Sequence, residues 1–166
     1  MIFVTVGTER FPFDRLLRAM DEAIRRGVVS GPVIAQTGYS LFRPQHMDCR
    51  DFYLFAEMRR LMSEADVIVA HAGVGTVLLA HGLHRIPLLM PRRMTLKEHV
   101  SDHQLEFARR LVESDRAVVA WDECELLQRL GEMLACLPRT HFQGQCGPEK
   151  RGLLEFLSNR LSALDG

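Results

Sequence analysis

Apolar and polar positions along this chain switch repeatedly between two periods. Ile2, Phe3, Val4, Thr5 and Val6 form a short, largely β-branched run that ends at Gly7 and Thr8, which predicts a buried strand closed by a turn. After Pro12, the residues Leu16, Leu17, Met20 and Ile24 recur at helical spacing, with Asp14 placed to cap the helix. A second strand is predicted over 32–36, halted by Thr37 and Gly38. Then follow a helix over 52–64, an aliphatic strand over 67–70, a helix over 77–83 and a strand over 87–90 that ends in Pro91, Arg92 and Arg93. A helix over 98–112, a strand over 117–121 and a helix capped by Asp122 and running to about 137 come next. Residues 140–148 read as a glycine-containing linker, and 149–166 as a closing amphipathic helix with Leu153, Leu154, Phe156, Leu157, Leu161 and Leu164. Residues 39–51 show no period and contain Pro44, so they read as a long loop, a feature that is usually functional or mobile in a compact domain.

Strands of this kind, apolar on both faces and separated by helices, predict an α/β fold: a single Rossmann-like parallel sheet with helices on both faces. A length of 166 residues fits one domain, 1–166, and is too short for two full-sized ones. No internal repeat or low-complexity segment is visible. Lys plus Arg (21) balances Asp plus Glu (21), which argues against nucleic-acid binding. No apolar run approaches the ~20 residues needed to span a bilayer, so a membrane role is expected to be peripheral or borrowed from a partner. The first residues lead at once into Gly7 and Glu9 and do not read as a secretory signal. Cys49, Cys124, Cys136 and Cys146 are scattered without a CxxC pair, as expected of reduced thiols in a cytoplasmic protein.

The chemistry concentrates after the strands. His71, Ala72, Gly73, Val74, Gly75 and Thr76 follow the aliphatic strand and open onto a helix. Strand, glycine turn and helix N-terminus together make an anion site, because the backbone can approach a phosphate and free N–H groups face it. The plain alternative is a tight turn with a helix cap. Gly7, Thr8 and Glu9, then Gln36, Thr37 and Gly38, and then Arg92 and Arg93 stand at the other strand ends, where ligands bind in parallel sheets. A dinucleotide fingerprint is not met: Leu78 occupies the place of its third glycine, and no acidic residue closes the strand at 88–90. No Gly-Lys-Ser/Thr forms a P-loop.

A second constellation is Glu98, His99, Val100, Ser101, Asp102, His103 and Gln104. On a helix beginning at 98, positions 99 and 103 share a face, as do 98 and 102. The paired histidines invite a metal reading, but Val100 stands where a metalloprotease places glutamate. A polar solvated first turn is the structural alternative. The functional one is that these groups face the carboxyl edge and hold a sugar or base.

Val4 to Thr8, Gln36-Thr37-Gly38, the turn from His71 to Thr76, Pro91-Arg92-Arg93, Glu98-His99 and Asp102-His103-Gln104 occur together in an order that resembles the nucleotide-sugar-binding half of GT-B glycosyltransferases of family 28. The likeness covers roughly residues 1–111 and is greatest to small stand-alone catalytic subunits of two-subunit enzymes. These serve dolichol-linked chitobiose extension and bacterial exopolysaccharide synthesis.

The resemblance implies that Gly73, Val74, Gly75 and Thr76 receive the diphosphate of a UDP-sugar, with His71 counted among the donor-binding residues. Gly7 and Thr8 would flank the same crevice, and His99, Asp102, His103 and Gln104 would contact the sugar or nucleoside. Relatives often grip the ribose with a glutamate where Leu78 and Leu79 stand here, and Glu98 is the candidate replacement. Arg92 or Arg93 and a helix N-terminus would stabilise the leaving diphosphate, with no metal and no cofactor. The acceptor base belongs to the other GT-B half. The resemblance therefore implies a membrane-anchored acceptor-binding subunit, a lipid-linked glycan acceptor, and self-association when the chain is isolated. The closing helix and the loop with Phe42, Met47, Phe52 and Tyr53 are the candidate docking surfaces. An epimerase would need both domains, whereas a non-catalytic nucleotide-sugar-binding module would carry the same site.

Overall fold

The computed structural model describes residues 1–137. Six parallel strands form one sheet: β1 (Ile2–Thr5), β2 (Val33–Gln36), β3 (Asp48–Arg50), β4 (Val67–His71), β5 (Leu88–Met90) and β6 (Val118–Val119). Their order across the sheet is β3-β2-β1-β4-β5-β6. Five helices connect or follow them: α1 (Asp14–Arg25), α2 (Phe55–Glu64), α3 (Val74–Gly82), α4 (His103–Glu113) and α5 (Glu123–Ala135). This is the α/β, Rossmann-like architecture that the sequence pattern predicts. The closing helix, the 140–148 linker and Cys146 lie outside the described residues.

Alternation of side chains along each strand divides the core in two. Ile2 and Val4 of β1, Val67 and Val69 of β4, and Leu88 and Met90 of β5 face Leu16, Leu17 and Met20 of α1 and Leu126, Leu130 and Met133 of α5. Phe3, Ile68, Ala70 and Leu89 point the other way, onto Leu61 and Met62 of α2, Val77 and Ala80 of α3 and Leu111 of α4. Each central strand is buried along its whole length, the reason its sequence reads as continuous apolar residues rather than as an amphipathic alternation.

Several predicted elements change. The segment 39–51 is not loop throughout: Asp48–Arg50 forms β3, pairing with β2 in the register Ile34 to Asp48. At the sheet edge its residues need only one partner strand, and Asp48 and Arg50 face solvent, so its sequence carries no apolar signal. Helix α4 starts at His103 rather than at 98. Residues 94–96 instead form a 3₁₀ turn, ended by Lys97 in the left-handed region at φ 57°. Positions 98 and 102, and 99 and 103, therefore share no helix face. Helix α3 starts at Val74, three residues earlier than predicted, so Gly75 and Thr76 lie in its first turn. At α1, Asp14 is the first helical residue and not the cap, and its carboxylate accepts from the Leu41 N–H at 2.8 Å. Asp122 caps α5 as predicted, accepting from the Glu125 N–H at 2.8 Å.

Candidate functional site

All six strands run in one direction, so their carboxyl ends share one edge of the sheet. The chain leaves β1 toward β2 on one side and returns to β4 on the other, making the junction of β1 and β4 the topological switch point. The Gly7 loop and the Gly73 turn meet there, with the buried His71 ring between them. A Cβ on Gly73 would overlap His71 Nε2 and lie 2.8 Å from Cδ2, and one on Gly7 would lie 2.5 Å from Nε2. Both glycines are thus required by the ring they enclose. Burial, and after it the positive charge of Arg92, pushes the His71 imidazole down to about 4, so it is neutral at physiological pH.

The Gly7 loop is braced from beneath. Its N–H donates to the Thr5 hydroxyl at 3.1 Å, and the buried Gln36 amide donates to the same hydroxyl at 3.2 Å and to the Gly7 carbonyl at 3.3 Å. Gly38 allows this close fit: it adopts φ +53°, and a Cβ there would lie 2.9 Å from the Gly7 carbonyl oxygen. Thr8, next along the chain, is exposed.

Gly75 differs from both of these glycines. Outside its own helix, no atom of the described residues lies within 4 Å of where its Cβ would stand. The first helical hydrogen bond of α3 runs from the Val77 N–H to the Gly73 carbonyl, and no side chain among the described residues caps the helix. The N–H groups of Val74, Gly75 and Thr76 precede that bond. Val74 and Gly75 are exposed and Thr76 is buried. The result is a helix N-terminus at the switch point that no described side chain caps.

The remaining predicted residues divide. Arg92 is completely buried, and its guanidinium donates to the carbonyls of Val6 at 2.6 Å, Phe11 at 2.7 Å and Glu98 at 2.9 Å. Burial lowers it to about 10, which leaves it charged. It is enclosed in the fold, its donors spent on backbone carbonyls, contrary to a diphosphate-contacting role. Arg93 donates from its guanidinium to the Trp121 carbonyl. Glu98 does not present a free carboxylate either. Arg15 donates to both of its oxygens, at 2.8 and 2.9 Å, and the Arg93 N–H donates to one of them at 3.0 Å. Gln104 is buried and accepts from the Arg92 N–H at 3.2 Å. Asp102 accepts from the Met94 N–H at 2.9 Å. His99 Nδ1 lies 3.2 Å from the Ser101 N–H, and its ring lies 6.3 Å from that of Phe11. His103 stands in solvent, with Glu106 3.8 Å away.

Arg15 is the residue that the sequence pattern does not reveal, because its partner lies 83 positions downstream. One local sign exists: a cation in the first turn of a helix sits against the dipole and needs a reason to be there. Among the described residues no group of three or more His, Cys, Asp or Glu side chains is arranged to hold a metal ion, and no helix is long and apolar enough to cross a membrane.

A parallel sheet with helices on both faces defines a Rossmann-like α/β domain. The chain belongs to the glycosyltransferase family 28 C-terminal domain family, whose model matches residues 1–137. No curated protein matches the sequence. Among solved structures, the fold is similar to the glycotransferase of kitacinnamycin, at 14% identity and a TM-score of 0.59, over 98% of this chain and 40% of that one. It is also similar to MurG of Acinetobacter baumannii, at 18% identity and a TM-score of 0.53, over 85% of this chain and 41% of that one. The chain thus spans about two fifths of the length of the structures it matches.

Proposed function

We propose that the chain is the catalytic, sugar-donor-binding subunit of a two-subunit inverting glycosyltransferase. It transfers a hexosyl group from a UDP-sugar to a lipid-linked glycan acceptor in exopolysaccharide biosynthesis. Family membership supports the transferase chemistry. The observation that carries the site assignment is the first turn of α3, where Gly75 has no packing reason among the described residues to be glycine and no described side chain caps the N–H groups. Glycosyl transfer leaves negative charge on the diphosphate, and those N–H groups with the helix dipole stabilise it without a metal ion. Gly7 and Thr8 flank the diphosphate, and the exposed His103 reaches the sugar or nucleoside. Arg92, Glu98 and Gln104 act behind this surface as its support.

The reaction also needs a base for the acceptor hydroxyl and a surface for the lipid. A membrane-anchored acceptor-binding subunit supplies both, and the cytoplasmic chain reaches the membrane through it. Gly75→Val tests the site, because a Cβ there meets no atom of the described fold while a branched side chain blocks the approach of a phosphate. Calorimetry with UDP should show binding to the wild type and none to the folded variant. Equal binding to both would overturn the assignment.

A further inference from the structure

Two arginines cross the carboxyl end of β4 in opposite directions. Arg92 starts just beyond β5 and reaches the carbonyls of Val6 and Phe11 in the loop between β1 and α1. Arg15 starts on α1 and returns, holding both oxygens of Glu98 and donating to the Pro91 carbonyl at 3.0 Å. The Phe13 ring lies beside both guanidinium carbons, 4.7 Å from that of Arg92 and 5.4 Å from that of Arg15. Since β1 and β5 are the two neighbours of β4, these reciprocal links join the loops on either side of the His71–Gly73 turn.

The links are enclosed. The side chains of Arg15 and Glu98 are 10% and 7% exposed, and Arg92 is fully buried. A buried ion pair of this kind contributes little net stability over an apolar pair, so its presence asks for another reason. Precision supplies one, because a site made of backbone N–H groups works only if the surrounding loops hold still to about half an ångström.

We propose that Arg15, Glu98 and Arg92 form a clasp that fixes the spacing of the two loops framing the nucleotide crevice, with Arg15 as a positioning residue for UDP-sugar binding. The inference rests on reading that crevice as the sugar-donor site. It assigns no contact with the substrate to any of the three.

The test uses the full chain as wild type, Arg15→Lys and the double variant Arg15→Met with Glu98→Gln, which removes the ion pair while the new amide oxygen can still accept from the Arg93 N–H. Calorimetry with UDP and amide hydrogen exchange are read on each. The double variant should bind UDP about tenfold more weakly or worse, and Arg15→Lys should fall between it and the wild type. Exchange should quicken selectively over residues 92–102 while β1 and β4 stay protected. A purely stabilising ion pair would lower the melting temperature yet leave the UDP affinity of the folded protein unchanged, and that result would overturn the proposal. So would unchanged exchange over 92–102. Failure of the wild type to bind UDP would instead overturn the crevice reading, and the exchange comparison would still decide whether the clasp holds the loops.

Discussion

Replacing Gly73 with alanine isolates one contact. The backbone there sits at φ −86° and ψ 131°, an ordinary extended conformation, so a methyl group brings no backbone strain. Its main cost is the collision with the His71 ring, which the new Cβ would overlap at Nε2 and crowd at Cδ2, 2.8 Å away. Overpacking of this kind costs about 1–3 kcal/mol, and a domain of this size loses roughly 2–4 °C in Tm per kcal/mol. Shortening His71 to alanine removes the obstacle. In the double variant the two changes should therefore compensate, with a favourable coupling of about 1–3 kcal/mol. Urea unfolding of the four proteins completes the cycle. Additivity to within about 0.5 kcal/mol would refute the claim that the ring dictates the glycine. Gly75→Ala is the internal control: with no neighbour to strike, it should be neutral or stabilising by up to about 1 kcal/mol.

Two further outcomes follow from the same surroundings. The fold holds His71 near 4, below its ordinary 6.5, so the unfolded chain takes up the proton first as pH falls. Stability from the neutral ring is complete above pH 6.5 and is lost on descending to about 4, by about 3 kcal/mol. Denaturation midpoints of the wild type and His71→Gln across that window check it, and parallel slopes would refute it. The Glu22 carboxylate, drawn down to about 2 by hydrogen bonds from Arg25 and Arg26, loses its contribution only below its ordinary 4.5, toward the acid end of that range. At α4, Gln104→Ala should cost about 1–2 kcal/mol because it strands the buried Arg92 N–H, whereas His103→Ala should leave the Tm unchanged. A thermal melt showing equal losses would contradict that division.

The parts of this fold written locally were legible in the sequence. Continuous apolar runs announced β1, β4 and β5, and Leu16, Leu17 and Met20 announced α1. The glycine turn after β4 was visible because glycine needs a reason wherever it stands. What the sequence hid was set by contacts between distant residues. Asp48–Arg50 becomes a strand only because β2 lies beside it. Glu98 and Arg92 carry the composition of a ligand site, and only the arrival of Arg15 and the Val6 carbonyl shows that their charges are satisfied inside the protein. The three glycines illustrate the same boundary. Gly7, Gly73 and Gly75 look alike in sequence, yet His71 explains the first two and nothing in the described fold explains the third.

The central pairing of the sheet has a kinetic meaning. Ile2 lies beside Val67 although β2, β3 and two helices intervene along the chain, whereas the pairing of Ile2 with Val33 closes a much shorter loop. Closing the longer loop carries the larger entropic penalty, so the β1–β4 seam is expected to form after its neighbours. The crevice opens at that seam. A ligand seated there binds only chains in which the seam has closed, and it adds to their stability in proportion to the logarithm of its concentration. On the reading of the crevice proposed above, the supply of nucleotide would then act as a folding aid, sheltering variants along β1 and β4 that would not survive in its absence.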